Sequence, residues 1–329
     1  MMWSYALVPV KVHYTRSGGF EQLYAIQTDN LGKMYPGSDH YALSNISIAC
    51  KEGCIYSFLG ENGAGKTTTV KILCTVLLPS TGTAFIKGYN IQKEPEKVRE
   101  IIGYLPQKSN VSIFFDWTVW ENLKFFCAMN GITGEEFKRL AKDLLKEHDI
   151  YQKRNDLFRN LSGGMQQKVA LIRSVIHDPK VLFLDEPTAG LDVHSKLQMI
   201  SFIRDVKKEG RTIFLTTHDM QVAETLSDDI AFIRKGKILR TGSLKDIMAA
   251  YSPMESVEIR CEKGDAEKIC ALVENPGLGD VISRYPVRIL TDNAQDILSL
   301  LEDFQITPVK RTISLEDIYL KTYCGGEDD

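Results

Sequence analysis

The sequence predicts an α/β fold: a parallel-sheet core built around a phosphate loop, interrupted by a helical block and followed by a small α+β domain. Three observations carry this. The apolar run Ile55-Tyr56-Ser57-Phe58-Leu59 enters a glycine-rich loop and leaves it as a helical pattern, the strand–loop–helix setting that a phosphate site requires. After Pro179, strand and helix patterns alternate again, as a parallel sheet demands. Beyond Ala250 the order of patterns becomes βαββαβ, which reads as a ferredoxin-like unit.

Taken in order, residues 1–22 stand apart as an N-terminal extension. Val8, Val10, Val12 and Tyr14 alternate with other residues and Ser17-Gly18-Gly19 offers a turn, so a β-hairpin is the reading and a partner-binding arm the alternative. A strand is expected near Tyr24–Thr28 and another at Ile46-Ser47-Ile48, with a turn at Lys51-Glu52-Gly53. The helix after the loop spans Thr67 to Leu78 and stops at Pro79. Ile102-Gly103-Tyr104-Leu105 forms a further strand. The block from about 111 to 176 is helical: Phe137, Leu140, Ala141, Leu144 and Leu145 recur at helical spacing within Glu135–Asp149. The helix after Gly164 carries Val169, Ala170, Ile172 and Ile176 and ends at Asp178-Pro179.

Val181–Leu184 is then a strand, Lys196–Lys207 a helix stopped by Gly210-Arg211, and Thr212–Thr216 a strand. Ile230–Arg234 and Lys237–Arg240 flank Lys235-Gly236 as a hairpin. In the last part, strands at Val257–Ile259, Val281–Ile282, Val287–Ile289 and Ile306–Val309 alternate with helices at Asp265–Val273 and Ala294–Leu301. The domain limits expected are 1–22, 23–250 and 251–329.

Composition narrows the functional classes. At 329 residues and a net charge of −3, the chain has room for two domains and lacks the basic footprint of a nucleic-acid binder, so no nucleic acid is expected as partner. Its longest apolar runs, such as Ile72–Leu78, are too short to span a bilayer. The first ten residues lack a basic segment and a small-residue cleavage site, and no secretory signal is read. Seven scattered cysteines fit reduced thiols better than a disulfide framework, and Cys50 and Cys54 lack the second pair that a zinc site would need.

Gly60-Glu61-Asn62-Gly63-Ala64-Gly65-Lys66-Thr67-Thr68 matches the phosphate-loop pattern in full. Its glycines let backbone N–H groups converge on phosphate oxygens. Lys66 would reach the β and γ phosphates of a nucleoside triphosphate, and the Thr67 hydroxyl would sit on Mg²⁺. Asp185 and Glu186 end the apolar strand before Pro187; Asp185 would hold the magnesium shell and Glu186 would polarise the attacking water. The plainer alternative is an acidic pair that only favours a helix N-terminus. His218 ends the strand Ile213–Thr217 and would emerge on the same sheet edge, within reach of a γ phosphate. Gln107, after Pro106, could meet both magnesium and water. Ser162-Gly163-Gly164 opens a helix with bare amides, an anion cradle.

Gly60–Thr68, Gln107, Leu161–Gln166, Asp185-Glu186, Ala189-Gly190-Leu191-Asp192 and His218 stand in the order and setting of ATP-binding cassette (ABC) ATPase domains, which the chain resembles over about residues 24–245. The resemblance implies a P-loop NTPase parallel-sheet core with an antiparallel β subdomain and a helical signature subdomain at about 111–176. It makes Gln107 the Q-loop, Leu161–Gln166 the signature, Glu186 the catalytic base, Asp192 the D-loop acid and His218 the switch histidine. Tyr35 looks like the aromatic that stacks on adenine, with Tyr41 its competitor. Val193 stands after Asp192 where proline is common, which departs from the pattern without removing a catalytic group.

The segment Thr312–Leu320 is similar to the closing segment of ATPase subunits of drug-resistance-type and polysaccharide-type exporters, whose pore is a separate ABC-2-type membrane protein. Its plain alternative is an amphipathic helix that packs the accessory domain. The resemblance thus implies an exporter ATPase using ATP and Mg²⁺, paired with a second ATPase subunit (a homodimer) and held on the cytoplasmic face of the cell membrane by its membrane partner. The rivals are a soluble ABC ATPase acting on ribosomes or an assembly scaffold, and an importer ATPase.

Overall fold

The computed structural model describes residues 24–107, 113–274, 277–301, 306 and 308–324; the hairpin expected within residues 1–22 lies outside them. The chain divides into two compact units, one running to Ile238 and one from Leu239.

The first unit holds two sheets. An antiparallel one joins β1 (Tyr24–Met34), β2 (Tyr41–Ile46), β3 (Ala49–Lys51), β5 (Thr81–Ile86) and β6 (Tyr89–Asn90), with β1 pairing β2, β3 and β5. The other is built on β4 (Ile55–Leu59), β7 (Ile102–Leu105), β8 (Val181–Asp185), β9 (Thr212–Thr217) and β10 (Asp229–Arg234), with β11 (Lys237–Ser243), inside which the unit boundary falls, at its edge, in the order β11-β10-β4-β9-β8-β7. Pairing from β10 through β7 is parallel. Burial on both faces explains the unbroken apolar strands. Ile55, Leu182, Leu184, Ile213 and Leu215 join a core with the helical block, while Tyr56, Phe58, Val181, Phe183 and Phe214 join a core with the antiparallel sheet. Each such large side chain contributes about 1.5–3 kcal/mol by leaving water.

Helices connect the strands. α1 (Lys66–Leu73) follows β4 and α2 (Pro95–Ile101) precedes β7. The helical block comprises α3 (Val119–Met129), α4 (Gly134–Glu147) and α5 (Gly163–Val175), with short 3₁₀ turns at Tyr151–Lys153 and Phe158–Asn160. Thr118 caps α3 in a reciprocal box with Glu121. Phe137, Ala141 and Leu145 are the buried stripe of α4, as their spacing predicts. After β8 and β9 come α6 (Val193–Lys208) and α7 (Met220–Leu226).

In the first unit, α1 and the segment around Ser47 differ from expectation. The helix expected over Thr67–Leu78 ends at Leu73, because Thr75 takes a left-handed φ of 59° and the amides of Val76 and Leu77 both turn back to Lys71 O. Pro79 therefore does not stop it. Ile46-Ser47-Ile48 is not one strand: β2 closes at Ile46, and Ile48 instead donates its amide to the Thr28 hydroxyl at 2.9 Å.

In the second unit, α8 (Leu244–Tyr251) precedes β12 (Glu255–Ile259), α9 (Lys263–Glu274), β13 (Asp280–Arg284), β14 (Val287–Thr291), α10 (Ala294–Leu301), β15 (Val309–Arg311) and α11 (Leu315–Cys324). The antiparallel sheet runs β13-β14-β12-β15, the ferredoxin-like order read from the sequence, although its last strand starts at Val309 rather than Ile306. Val257, Ile259, Val287 and Ile289 alternate into a core with Ile269, Val273 and Ile297. Leu315 and Ile318 of α11 are fully buried.

Candidate functional site

Strand order decides what meets what. The neighbours β4, β9, β8 and β7 are followed by Gly60, His218, Glu186 and, two residues on, Gln107, so four separate sequence segments meet along one carboxyl edge of the sheet.

The loop from Gly60 to Gly65 links β4 to α1, and Lys66 opens that helix. Lys66 is almost fully buried at 5% exposure, and its ammonium must therefore find partners. Nζ donates to Gly60 O at 2.6 Å and Glu61 O at 3.1 Å, and lies 3.1 Å from Glu186 Oε1. The loop keeps its own shape with Ala64 N donating to Glu61 O at 3.2 Å. A cavity of about 240 Å³ lies over it, lined by Asn62, Gly63, Gly65, Lys66, Thr67 and Thr68 together with Gln107 and Glu186. The exposed Tyr35, which does not line this cavity, sets its hydroxyl 3.2 Å from Oγ1 of the lining residue Thr68. Tyr41 is also exposed, at the start of β2.

Asp185 and Glu186 are buried, at 0% and 3% exposure. Asp185 Oδ1 accepts from the Thr216 hydroxyl at 2.5 Å, while Oδ2 is buried without a hydrogen-bond partner. Burial pushes the Asp185 carboxyl above the ordinary carboxylate range, opposed first by the Thr216 hydroxyl and then by that of Thr67. Glu186 turns away from β8 with a left-handed φ of 52°. Its amide donates to Thr216 O and Thr216 Oγ1, both at 3.1 Å. Its carboxylate lies between two side chains: Oε1 faces Lys66 without hydrogen-bonding geometry, and Oε2 lies 2.9 Å from His218 Nδ1.

Gln107 is exposed and borders both the loop cavity and a larger groove of about 730 Å³ that Thr67, Asp185, Phe126, Met129 and Arg173 also line. The signature residues lie elsewhere. Ser162 caps α5 by accepting from Met165 N at 3.3 Å, and Gln166 pins the approach by donating to Phe158 O and Leu161 O. Gly163 has open space where a Cβ would stand, whereas a Cβ on Gly164 would come within 2.3 Å of Ser195 Oγ. That same hydroxyl donates to Asp192 Oδ2 at 2.7 Å while Ser195 N donates to Oδ1 at 3.0 Å. These bonds hold the Asp192 carboxyl below its ordinary range. Among the described residues lining the loop cavity, none comes from Leu161–Gln166 or is Asp192.

The structure therefore brings Lys66, Thr67, Asp185, Glu186, His218 and Gln107 to one place, and leaves Ser162, Gly163, Gly164 and Asp192 outside it. Sequence reasoning missed Thr216, whose only signal was a hydroxyl at the end of an apolar strand. It also missed Gln167, a buried amide on α5 that donates to Pro187 O at 3.1 Å and ties the signature helix to the turn after Glu186.

The family model described as "ABC transporter" matches residues 43–189. The chain is 34% identical over 206 residues to the ABC transporter ATP-binding protein NatA of Bacillus subtilis (strain 168), a match covering 63% of this chain and 83% of that protein. It is 35% identical over 244 residues to ATP-binding cassette sub-family A member 2 of Rattus norvegicus, covering 73% of this chain. The match spans only 10% of that relative's length. Among solved structures, the dimeric post-hydrolysis state of the ATP-binding cassette MJ0796 bound to ADP and Pi aligns with a TM-score of 0.62 at 27% identity, covering 67% of this chain and 98% of that one.

Proposed function

The chain belongs to the ABC transporter ATP-binding family, and on that premise we propose that it is the ATP-hydrolysing subunit of an exporter whose pore is a separate ABC-2-type membrane protein. The observation that carries the reading is Glu186, held between Lys66 and His218 at the rim of the phosphate loop.

ATP would enter over Gly60–Thr68, with its adenine against Tyr35 and its phosphates drawing Lys66 away from Glu186. The freed Glu186 carboxylate then accepts a proton from the attacking water, whose oxygen bonds to the γ phosphorus as ADP leaves. His218 keeps Glu186 Oε2 in place and reaches the γ phosphate. The donor set suits magnesium, since Asp185 offers a buried oxygen with no other partner beside the Thr67 hydroxyl. Asp185, Thr67 and Gln107 would hold Mg²⁺, which when bound supplies positive charge to the β and γ phosphates.

Ser162, Gly163, Gly164 and Asp192 are assigned to the ATP of a second copy, in a head-to-tail homodimer whose opening and closing is passed to the membrane subunit near Gln107. The exporter assignment rests on the closing segment Thr312–Leu320, which enters α11. Among the described residues no helix is long and apolar enough to cross a membrane, so attachment to the cytoplasmic face is assigned to the partner. The functional limits proposed are an extension at 1–22, the ATPase domain at 23–250 and an accessory domain at 251–329.

Glu186→Gln tests this directly. The variant keeps the shape of the side chain but loses the base, so ATP binding persists, hydrolysis falls at least about 100-fold and an ATP-bound dimer accumulates on size exclusion. Full turnover by Glu186→Gln would sink the assignment.

A further inference from the structure

Thr216 lies in β9 directly opposite Asp185 of β8 in the parallel register and is fully buried. A buried strand hydroxyl ordinarily satisfies itself on a nearby backbone carbonyl. This one instead donates to Asp185 Oδ1 at 2.5 Å, a short charge-assisted bond. Thr216 Oγ1 in turn accepts from Glu186 N at 3.1 Å, and Thr216 O takes that amide as well. One side chain thus touches both members of the acidic pair, by side chain in one case and by backbone in the other.

Each contact has a consequence. Fixing Oδ1 decides which oxygen of Asp185 is left without a hydrogen bond, and that oxygen is Oδ2. Holding the Glu186 amide stabilises a turn with φ of 52°, a conformation that a residue with a Cβ avoids unless its surroundings enforce it. The turn in turn sends the Glu186 carboxylate toward Lys66 and His218. The adjacent hydroxyl cannot substitute, because Thr217 points to the opposite face of the sheet, where its Oγ1 accepts from Asp219 N at 2.9 Å.

We propose that Thr216 is a positioning residue of the hydrolytic site, orienting Asp185 toward a divalent cation and Glu186 toward the attacking water through a single hydroxyl. The proposal rests on the ATPase reading above, and it concerns Thr216, which that reading assigns to neither nucleotide nor metal.

The test compares Thr216→Val, which keeps the shape and removes the hydroxyl, with Thr216→Ser, which keeps the hydroxyl. Mn²⁺ affinity of the full chain in the presence of ADP is followed by electron paramagnetic resonance, alongside kcat and KM for ATP. Thr216→Val is expected to weaken Mn²⁺ about 10- to 100-fold, the usual range for an outer-shell partner, and to lower kcat with little change in KM. Thr216→Ser should restore both to within a few-fold of wild type. Thr216→Ala, which cannot crowd the strand, should match Thr216→Val and guards against a folding defect in the bulkier variant. Wild-type Mn²⁺ affinity in Thr216→Val and Thr216→Ala, or a serine variant as poor as the valine one, overturns the positioning role. Absence of ADP-dependent Mn²⁺ binding in the wild-type chain would overturn the nucleotide-site reading itself, and the role with it.

Discussion

Gly65 shows how tightly single residues are specified. It has φ of 110°, and a Cβ there would stand 2.5 Å from Leu43 Cδ2 and 2.8 Å from Ala42 O. Gly65→Ala must therefore both strain the backbone and push the loop off β2. The expected cost is about 1–2 kcal/mol for the backbone alone, seen as a lower melting temperature, together with loss of ATP binding in a fluorescent-nucleotide titration. A variant that melts and binds as wild type would mean that the loop relaxes freely. The glycine was legible from its motif; its neighbours Leu43 and Ala42 were not, since they approach from a strand some twenty residues earlier. Thr216 was illegible for the same reason. Its hydroxyl matters because of Asp185, 31 residues away along the chain.

At the scale of elements, periodic segments were read well and their ends less so. The stripe Phe137, Ala141 and Leu145 marks α4 without ambiguity, because burial of one face repeats every turn. Val76 and Leu78 misled: they are apolar, yet 64% and 69% exposed, and continued the pattern of α1 past its real end. The second unit contains an element property that no motif signals. Glu258 of β12 is buried on the sheet face opposite the core residues Val257 and Ile259, among Arg260, Arg288 and Arg311. Burial pushes its carboxyl up, but the three guanidiniums outweigh it and hold it below the ordinary value of 4.5. A depressed carboxylate adds stability above its ordinary value and loses that stability as pH falls through the folded value. Acidification below about 4.5 should therefore loosen this sheet. Glu258→Gln should cost about 2 kcal/mol at neutral pH and flatten the acid response, followed by methyl signals of Val257, Val287 and Ile289 during thermal unfolding. An unchanged acid response in Glu258→Gln would remove Glu258 as its source.

For the whole molecule, the decisive fact is that the cavity over the phosphate loop is lined without the signature. If two copies exchange these surfaces head to tail, two differently damaged chains can repair each other. Ser162→Arg keeps an intact Lys66 loop, and Glu186→Gln keeps an intact signature. Each alone should be inactive, but an equal mixture should recover up to about a quarter of wild-type hydrolysis, since half the dimers are mixed and each has one sound site of two. Activity no greater than the sum of the separate variants would place the complete site within one chain. The phosphate loop, the acidic strand end, the signature turn and their order are legible along the chain, because phosphate binding depends on backbone geometry that contiguous residues encode. The fold alone settles that Lys66, Glu186 and His218 touch, that Thr216 hydrogen-bonds to both members of the acidic pair, and that Ser162-Gly163-Gly164 lies outside the loop cavity. Those outcomes follow from the strand order β4-β9-β8-β7 and the crossovers that produce it, which are set by how the buried faces pack together and by no single segment of the chain.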